Sequence, residues 1–187
     1  MKNFSLIIFL LLFTIPSGCQ SQVAAKPDEA KSKQSKLEEF SGRSGQLLEK
    51  KFLRIGKFGQ TSVDVLIITD MNSKKVVSGV RLERVVSTQY TSRTISAFID
   101  DDEVDGAIKS MSYLKAQILG SAIPENYTEY QFVSRSGFQV GCYNEKKDWI
   151  GFINIDRIGR DGFDSFNGVR MAELQTLFEA AKEKLPK

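Results

Sequence analysis

The sequence predicts an α+β fold built from two ββββα pseudo-repeats, and three observations carry that reading. Runs of period-two apolar alternation occur as one series between residues 52 and 99 and as a second between residues 130 and 166, the pattern of half-buried strands. Each series is followed by a segment whose apolar residues recur every three to four positions, the mark of an amphipathic helix. The two series also correspond, because Val63, Val65 and Ile67 stand at a constant offset from Phe138, Val140 and Cys142.

Taken in order, residues 52–58, 63–69, 75–86 and 93–99 read as the first four strands. Gly59-Gln60 and Asp70-Met71-Asn72-Ser73 supply turn chemistry between the first three. Residues 103–119 follow as a helix, with Val104, Ile108, Met111, Leu114 and Ile118 on one face and Gly120 as its stop. In the second half, residues 130–135, 138–144 and 149–155 alternate as strands, with a shorter fourth at 163–166. The closing helix, 170–184, carries the stripe Met171, Leu174, Leu177, Phe178, Ala181 and Leu185. A single ββββα unit leaves one sheet face bare, so two units packed together bury a common core. The predicted domain is 49–187, with repeats at about 50–120 and 128–187.

Ahead of it, Lys2 and the apolar run from Leu6 to Phe13 read as the n- and h-regions of an export signal, residues 1–18. The run is too short for a spanning helix, which needs about 20 residues. Pro16-Ser17-Gly18-Cys19 follows directly, and small residues before a cysteine at this place resemble the lipobox of bacterial lipoproteins. That resemblance implies that Cys19 is acylated and becomes the mature N-terminus; it departs from the pattern at Pro16, where an aliphatic residue is expected. Cleavage after Ala25, in Val23-Ala24-Ala25, is the alternative and gives a secreted or periplasmic protein. Residues 19–48 are polar and read as a flexible spacer, and 36–51, overlapping its end, is a candidate short helix with Leu37, Phe40, Leu47 and Leu48 on its apolar side.

Composition narrows the chemistry. Of 187 residues, 41% are hydrophobic and 26% charged, which excludes a disordered chain and a polytopic membrane protein. Histidine is absent, which removes imidazole general bases, Ser-His-Asp and Cys-His pairs, and His-ligated metals. Two cysteines, Cys19 and Cys142, do not make a thiolate cluster. Any metal is therefore a hard ion on carboxylates. Asp100, Asp102 and Asp105 are the candidates for calcium, within the run Asp100-Asp101-Asp102-Glu103. Their spacing is not that of an EF-hand, and Asp100 with Glu103 three residues on has the pattern of a capping box, so no metal or cofactor is assigned. Asp156, Asp161, Asp164 and Asn167, set among glycines, are read as turn residues. Cys142 alternates with Phe138 and Val140 and is expected to be a buried free thiol.

The double ββββα order over residues 50–187 resembles, in topology alone, the whirly and PUR-type single-stranded nucleic-acid-binding folds. No motif supports transfer of binding residues. Arg54, Lys57, Arg81, Arg84 and Arg93, with Tyr90 and Phe98, are the positions from which a single-strand platform would be built. Asp64 and Glu83 share those strands, and the net charge is only +3, so nucleic acid is not expected as a partner. The expected function is a non-enzymatic binding or scaffolding module in the cell envelope, attached to the membrane through Cys19 and contacting a protein or small molecule. The alternative is a carboxylate or metal-dependent enzyme using Asp70, Asp100 and Asp102.

Overall fold

Apolar residues at every second position make strands only if each strand finds a partner whose own apolar set faces the same way. The chain meets that demand twice. The computed structural model describes residues 34–87 and 89–186; residues 1–18, read as an export signal, and Cys19 lie outside the described residues. Strands β1 (Leu48–Phe58), β2 (Thr61–Asp70), β3 (Val76–Ser87) and β4 (Ser92–Asp100) form one antiparallel sheet in chain order. Strands β5 (Glu129–Val133), β6 (Gln139–Glu145), β7 (Asp148–Asn154) and β8 (Phe163–Asn167) form the second in the same order. Each sheet is followed by a helix, α2 (Asp101–Tyr113) and α3 (Met171–Lys184) respectively.

Register explains the inner faces. Val65 lies opposite Val80, which lies opposite Ile99, and Leu82 is flanked by Val63 and Ala97. In the second sheet Val140 faces Ile153, and Cys142 faces Gly151, which faces Phe166. These residues join Val104, Ala107 and Met111 of α2 and Leu174, Phe178 and Ala181 of α3 in one buried cluster. Phe138 stacks on Phe178 with ring centroids 5.8 Å apart. At Gly151 a Cβ would fall 2.4 Å from the Phe166 ring, and at Gly56 it would fall 2.7 Å from Leu177. Both glycines let a large side chain press on backbone.

The helices differ from expectation at their ends. The first begins at Asp101 and passes after Tyr113 into a π-helical turn over Leu114–Ile118, where Leu119 N–H donates to Leu114 O at 2.9 Å. Leu114 and Ile118 stay buried through the widened turn. The second begins at Met171, after a 3₁₀ turn at Gly168–Arg170.

The larger correction concerns the described part, 34–48, of the spacer expected over 19–48. Within it, Lys36–Ser41 is a helix, α1, with Leu37 and Phe40 buried. The candidate helix over 36–51 therefore stops after six residues, and from Leu48 the chain is β1. The physical reason is tertiary. A six-residue helix has too few internal bonds to persist alone, and this one is seated on the outer face of the first sheet. There Leu37 and Phe40 close over Leu66 and Ile68, with Leu48, Val77 and Phe98 at the edge. Gly79 makes the seat, because a Cβ there would lie 2.8 Å from Leu37 Cδ1 and 2.3 Å from Ile99 O. Ser35 and Glu38 cap the helix reciprocally, at 3.1 Å and 2.9 Å.

Because Phe40 is a core residue and not part of a spacer, Phe40→Ala is expected to cost about 3–5 kcal/mol. Urea denaturation of the variant checks this, and a midpoint equal to that of the wild type returns the segment to linker status.

Candidate functional site

Two regions bring chemically distinctive side chains together: a charged junction at the end of β4, and the outer face of the second sheet.

The junction is built on Asp100, whose side chain is 0% exposed. A buried carboxylate is tolerated only when donors replace its water. Asp100 has three: Lys36 N–H at 2.8 Å, Leu37 N–H at 3.1 Å and Arg135 Nη1 at 2.8 Å. Its own N–H donates to Glu103 Oε2 at 3.1 Å, the reciprocal arm of the capping box that starts α2. Asp100 thus serves the first turn of α1 as well as its own helix. Arg135 sits in the turn between β5 and β6, which Gly137 closes with φ +88°. Its guanidinium also takes both oxygens of Asp102 at 2.8 Å, and its N–H meets Glu103 Oε1 at 2.9 Å. Those bonds hold the Asp102 carboxyl well below the usual carboxylate range, with Lys36 assisting. The flanking hydroxyls act on the sheet edge: Ser136 Oγ accepts from Phe98 N–H at 3.1 Å, and Ser134 Oγ donates to Phe98 O at 2.9 Å.

The three metal candidates are therefore placed as follows. Asp100 and Asp102 share Arg135, while Asp105 pairs with Lys182 Nζ at 2.6 Å, which lowers its pKa. Among the described residues, no group of three or more acidic or cysteine side chains is arranged to hold an ion. Asp70 works locally: its Oδ1 accepts from Asn72 and Ser73 N–H at 2.8 Å and 3.1 Å in the β2–β3 turn, and those bonds lower its pKa.

The basic positions are not a free platform. Asp64, buried between β1 and β3, takes Arg54 at 2.5 Å and Arg81 at 2.9 Å, and Arg81 reaches Glu83 at 2.7 Å. Arg84 is buried and grips Asp164 and Thr61. Arg93 binds Asp156 at 3.1 Å and Asp161 at 2.5 Å. Asp156 is itself an Asx-type brace, accepting from Ile158 and Gly159 N–H, which keeps its pKa low. Of the residues read as turn residues, Asp156 and Asp161 order the loop and clip it to the first sheet, whereas Asp164 and Asn167 lie on β8, where pairing with β7 takes them into the sheet. Lys57 is exposed on β1, and Phe98 lies at the edge of the α1 seat.

The outer face of the second sheet carries the residues that alternate against the buried set. Gln139, Asn154 and Phe163 form one cross-strand row, and Glu129, Tyr143 and Ile150 another, with Phe152 opposite Gly141 between them. Four rings run in sequence: Tyr127 to Tyr143 at 6.3 Å, Tyr143 to Phe152 at 6.0 Å and Phe152 to Phe163 at 5.6 Å. Phe152 is a buried keystone lying across Gly141, where a Cβ would come within 2.8 Å of its ring. Tyr127 is 68% exposed and Phe163 40%. Together with Ile158, Gly159 and Arg160 these residues line a cleft of about 500 Å³, within the range of small-molecule sites. Tyr127 donates its phenol proton to Glu129 Oε2 at 2.6 Å, and that bond pushes its pKa up to about 12. Asn154 Nδ2 reaches Gln139 Oε1 at 3.4 Å.

This cleft was not among the sequence-predicted candidates. Its signal was present as aromatics at positions out of phase with the buried residues of the same strands. Cys142, on the inner face, is a buried free thiol whose pKa burial raises to about 11, as the alternation predicted.

No protein-family model, no curated protein and no solved structure matches the chain.

Two outcomes follow from the junction. Asp100→Ala is expected to cost about 3–5 kcal/mol, the range for breaking a buried charge pair, and not the about 0.5–2 kcal/mol of a lost cap; chemical denaturation separates the two. The second concerns acid. Asp70, Asp102, Asp105 and Asp156 all have folded pKa values below the ordinary 3.8. Their stabilisation is therefore full above pH 3.8 and is lost as pH falls through the lower folded values. Melting temperature against pH is expected to fall steeply below that point, and less steeply in Arg135→Gln, where Asp102 loses its main partner.

Proposed function

We propose that this chain is an exported, lipid-anchored protein of the cell envelope that acts as a non-enzymatic binding module, with the cleft on the second sheet as its binding surface. The observation that carries the reading is the aromatic row Tyr127–Tyr143–Phe152–Phe163 beside Gln139 and Asn154. Solvent-facing aromatics backed by a rigid sheet and bordered by polar groups are what a recognition surface needs. The carboxylates on which an enzymatic reading depends are engaged elsewhere: Asp70 in a turn, Asp100 and Asp102 on Arg135. This favours binding over catalysis, because a catalytic pair must converge on one reacting atom.

The two ββββα units are read as pseudo-repeats of a single domain, with α2 and α3 in equivalent places. The anchor reading rests on Lys2, the apolar run after it and Ser17-Gly18-Cys19. Cys19 as lipidated mature N-terminus attaches the domain to the membrane surface, and the polar residues after it serve as tether.

Acyl labelling and membrane fractionation test the anchor. Wild-type protein is expected in the membrane fraction with label, and Cys19→Ala in the soluble fraction without it. A wild-type protein that is unlabelled, soluble and begins at Lys26 defeats the proposal and leaves ordinary secretion.

A further inference from the structure

We infer that the cleft on the second sheet takes an uncharged oligosaccharide, an inference that rests on the binding-module reading above. A pyranose ring has an apolar C–H face, which stacks on an aromatic ring, and a belt of hydroxyls, which need paired donors and acceptors. The cleft offers both on one surface. Tyr127, Tyr143 and Phe163 are the rings open to solvent or half open, and Phe152 fixes the row from beneath. Gln139 and Asn154 present side-chain amides on the same face at adjacent strands. Asn154 Oδ1 accepts from Asp156 N–H at 3.0 Å and its Nδ2 donates to Gln139 Oε1 at 3.4 Å, which orients the pair and leaves the Gln139 NH₂ as a donor for a sugar hydroxyl. Three accessible rings in series make a track for a chain of sugars and not a hole for one.

Charge decides against a polyanion. The ionisable groups lining the cleft are Glu129 and Arg160, with the phenols of Tyr127 and Tyr143. Glu129 is held by the Tyr127 hydroxyl at 2.6 Å. Glu145 and Asp148 lie on the same sheet face, with Lys146 and Lys147 in the turn between them, so the face has no excess of cations with which to hold a phosphodiester backbone. The Arg93 clip to Asp156 and Asp161 sets the loop that carries Ile158, Gly159 and Arg160 to the rim. The site is therefore braced from the first sheet before any ligand arrives.

The experiment is a titration of the full chain, in a zwitterionic detergent free of sugar, with chitotetraose, cellotetraose and a single-stranded thymidine oligonucleotide. Binding is read by calorimetry and by backbone amide shifts. At least one tetrasaccharide is expected to shift the amides of Gln139, Gly141, Tyr143 and Asn154. Affinity is expected to fall about tenfold or more in Tyr143→Ala, and to survive in Tyr143→Phe, which keeps the ring. Tyr127→Ala, at a largely exposed position, gives the same loss without risk to the fold. No binding of either sugar at millimolar concentration overturns the inference. An oligonucleotide that shifts the same amides while the sugars do not overturns the ligand class and leaves the cleft as the binding surface. Sugar-induced shifts confined to other residues overturn the cleft itself, and the binding-module reading of this face with it.

Discussion

A fully buried carboxylate at the end of β4 is the constraint on which the assembly turns. Asp100 is anionic chemistry placed where water does not reach, and its cost is met by donors from two other chain segments, the start of α1 and Arg135 in the second sheet. Removing any one donor leaves part of that charge uncompensated in a medium of low effective dielectric, where the penalty runs to several kcal/mol. The position of α1 on the first sheet, the start of α2 and the turn at 134–137 are consequently linked. None of the three can shift without exposing the others to that penalty.

The same strand bears the second clamp at its other end. Arg93, next to the start of β4, reaches Asp156 and Asp161, while Arg84 on β3 reaches Asp164. Both sheets are therefore joined at two charged junctions around an apolar centre. The apolar cluster supplies bulk stabilisation without direction. The paired ions supply direction, since bidentate guanidinium–carboxylate geometry tolerates little displacement. The orientation of the open cleft relative to the first sheet follows from those junctions.

What the sequence made legible was what depends on local period. Strand alternation and the two helical stripes placed all eight strands and both long helices, because burial of one face imposes a repeat that composition cannot hide. The capping pattern of Asp100 and Glu103 was legible for the same reason. The partnership of Asp100 with Lys36, Leu37 and Arg135 was not, because it joins residues far apart in the chain and no local rule encodes it. Helix α1 was legible as a candidate through Leu37 and Phe40, but its end at Ser41 and its seat on the first sheet were not, because Leu47 and Leu48 extended the apolar pattern past the point where the chain turns into β1. The basic residues were visible as charges, but their neutralisation by Asp64, Asp156, Asp161 and Asp164 depends on strand pairing and on contact between the two sheets. The cleft lay between these cases. Tyr143, Phe152 and Phe163 occupy the positions that alternation assigns to solvent, where three large rings are more than surface composition requires.

The two units part company in the segment that precedes each sheet, and that difference accounts for why one outer face is covered at Leu66 and Ile68 and the other is uncovered. Before β1 the chain forms α1, and Leu37 and Phe40 cover the apolar side chains of β2. Before β5 the corresponding stretch runs as an irregular connection that Asn144 pins, its Nδ2 donating to Pro124 O and Asn126 O and its Oδ1 accepting from Thr128 N–H. Pro124, having no N–H and a fixed φ, suits such a path better than a helix. Held this way, the connection places Tyr127 beside Tyr143 as a wall of the cleft and not as a plug over it. A helix there would bury Tyr143 and Phe163 as α1 buries Leu66 and Ile68. The second unit forgoes that burial, worth about 25 cal/mol per Å² of apolar surface, and leaves Tyr127 and Phe163 open to solvent.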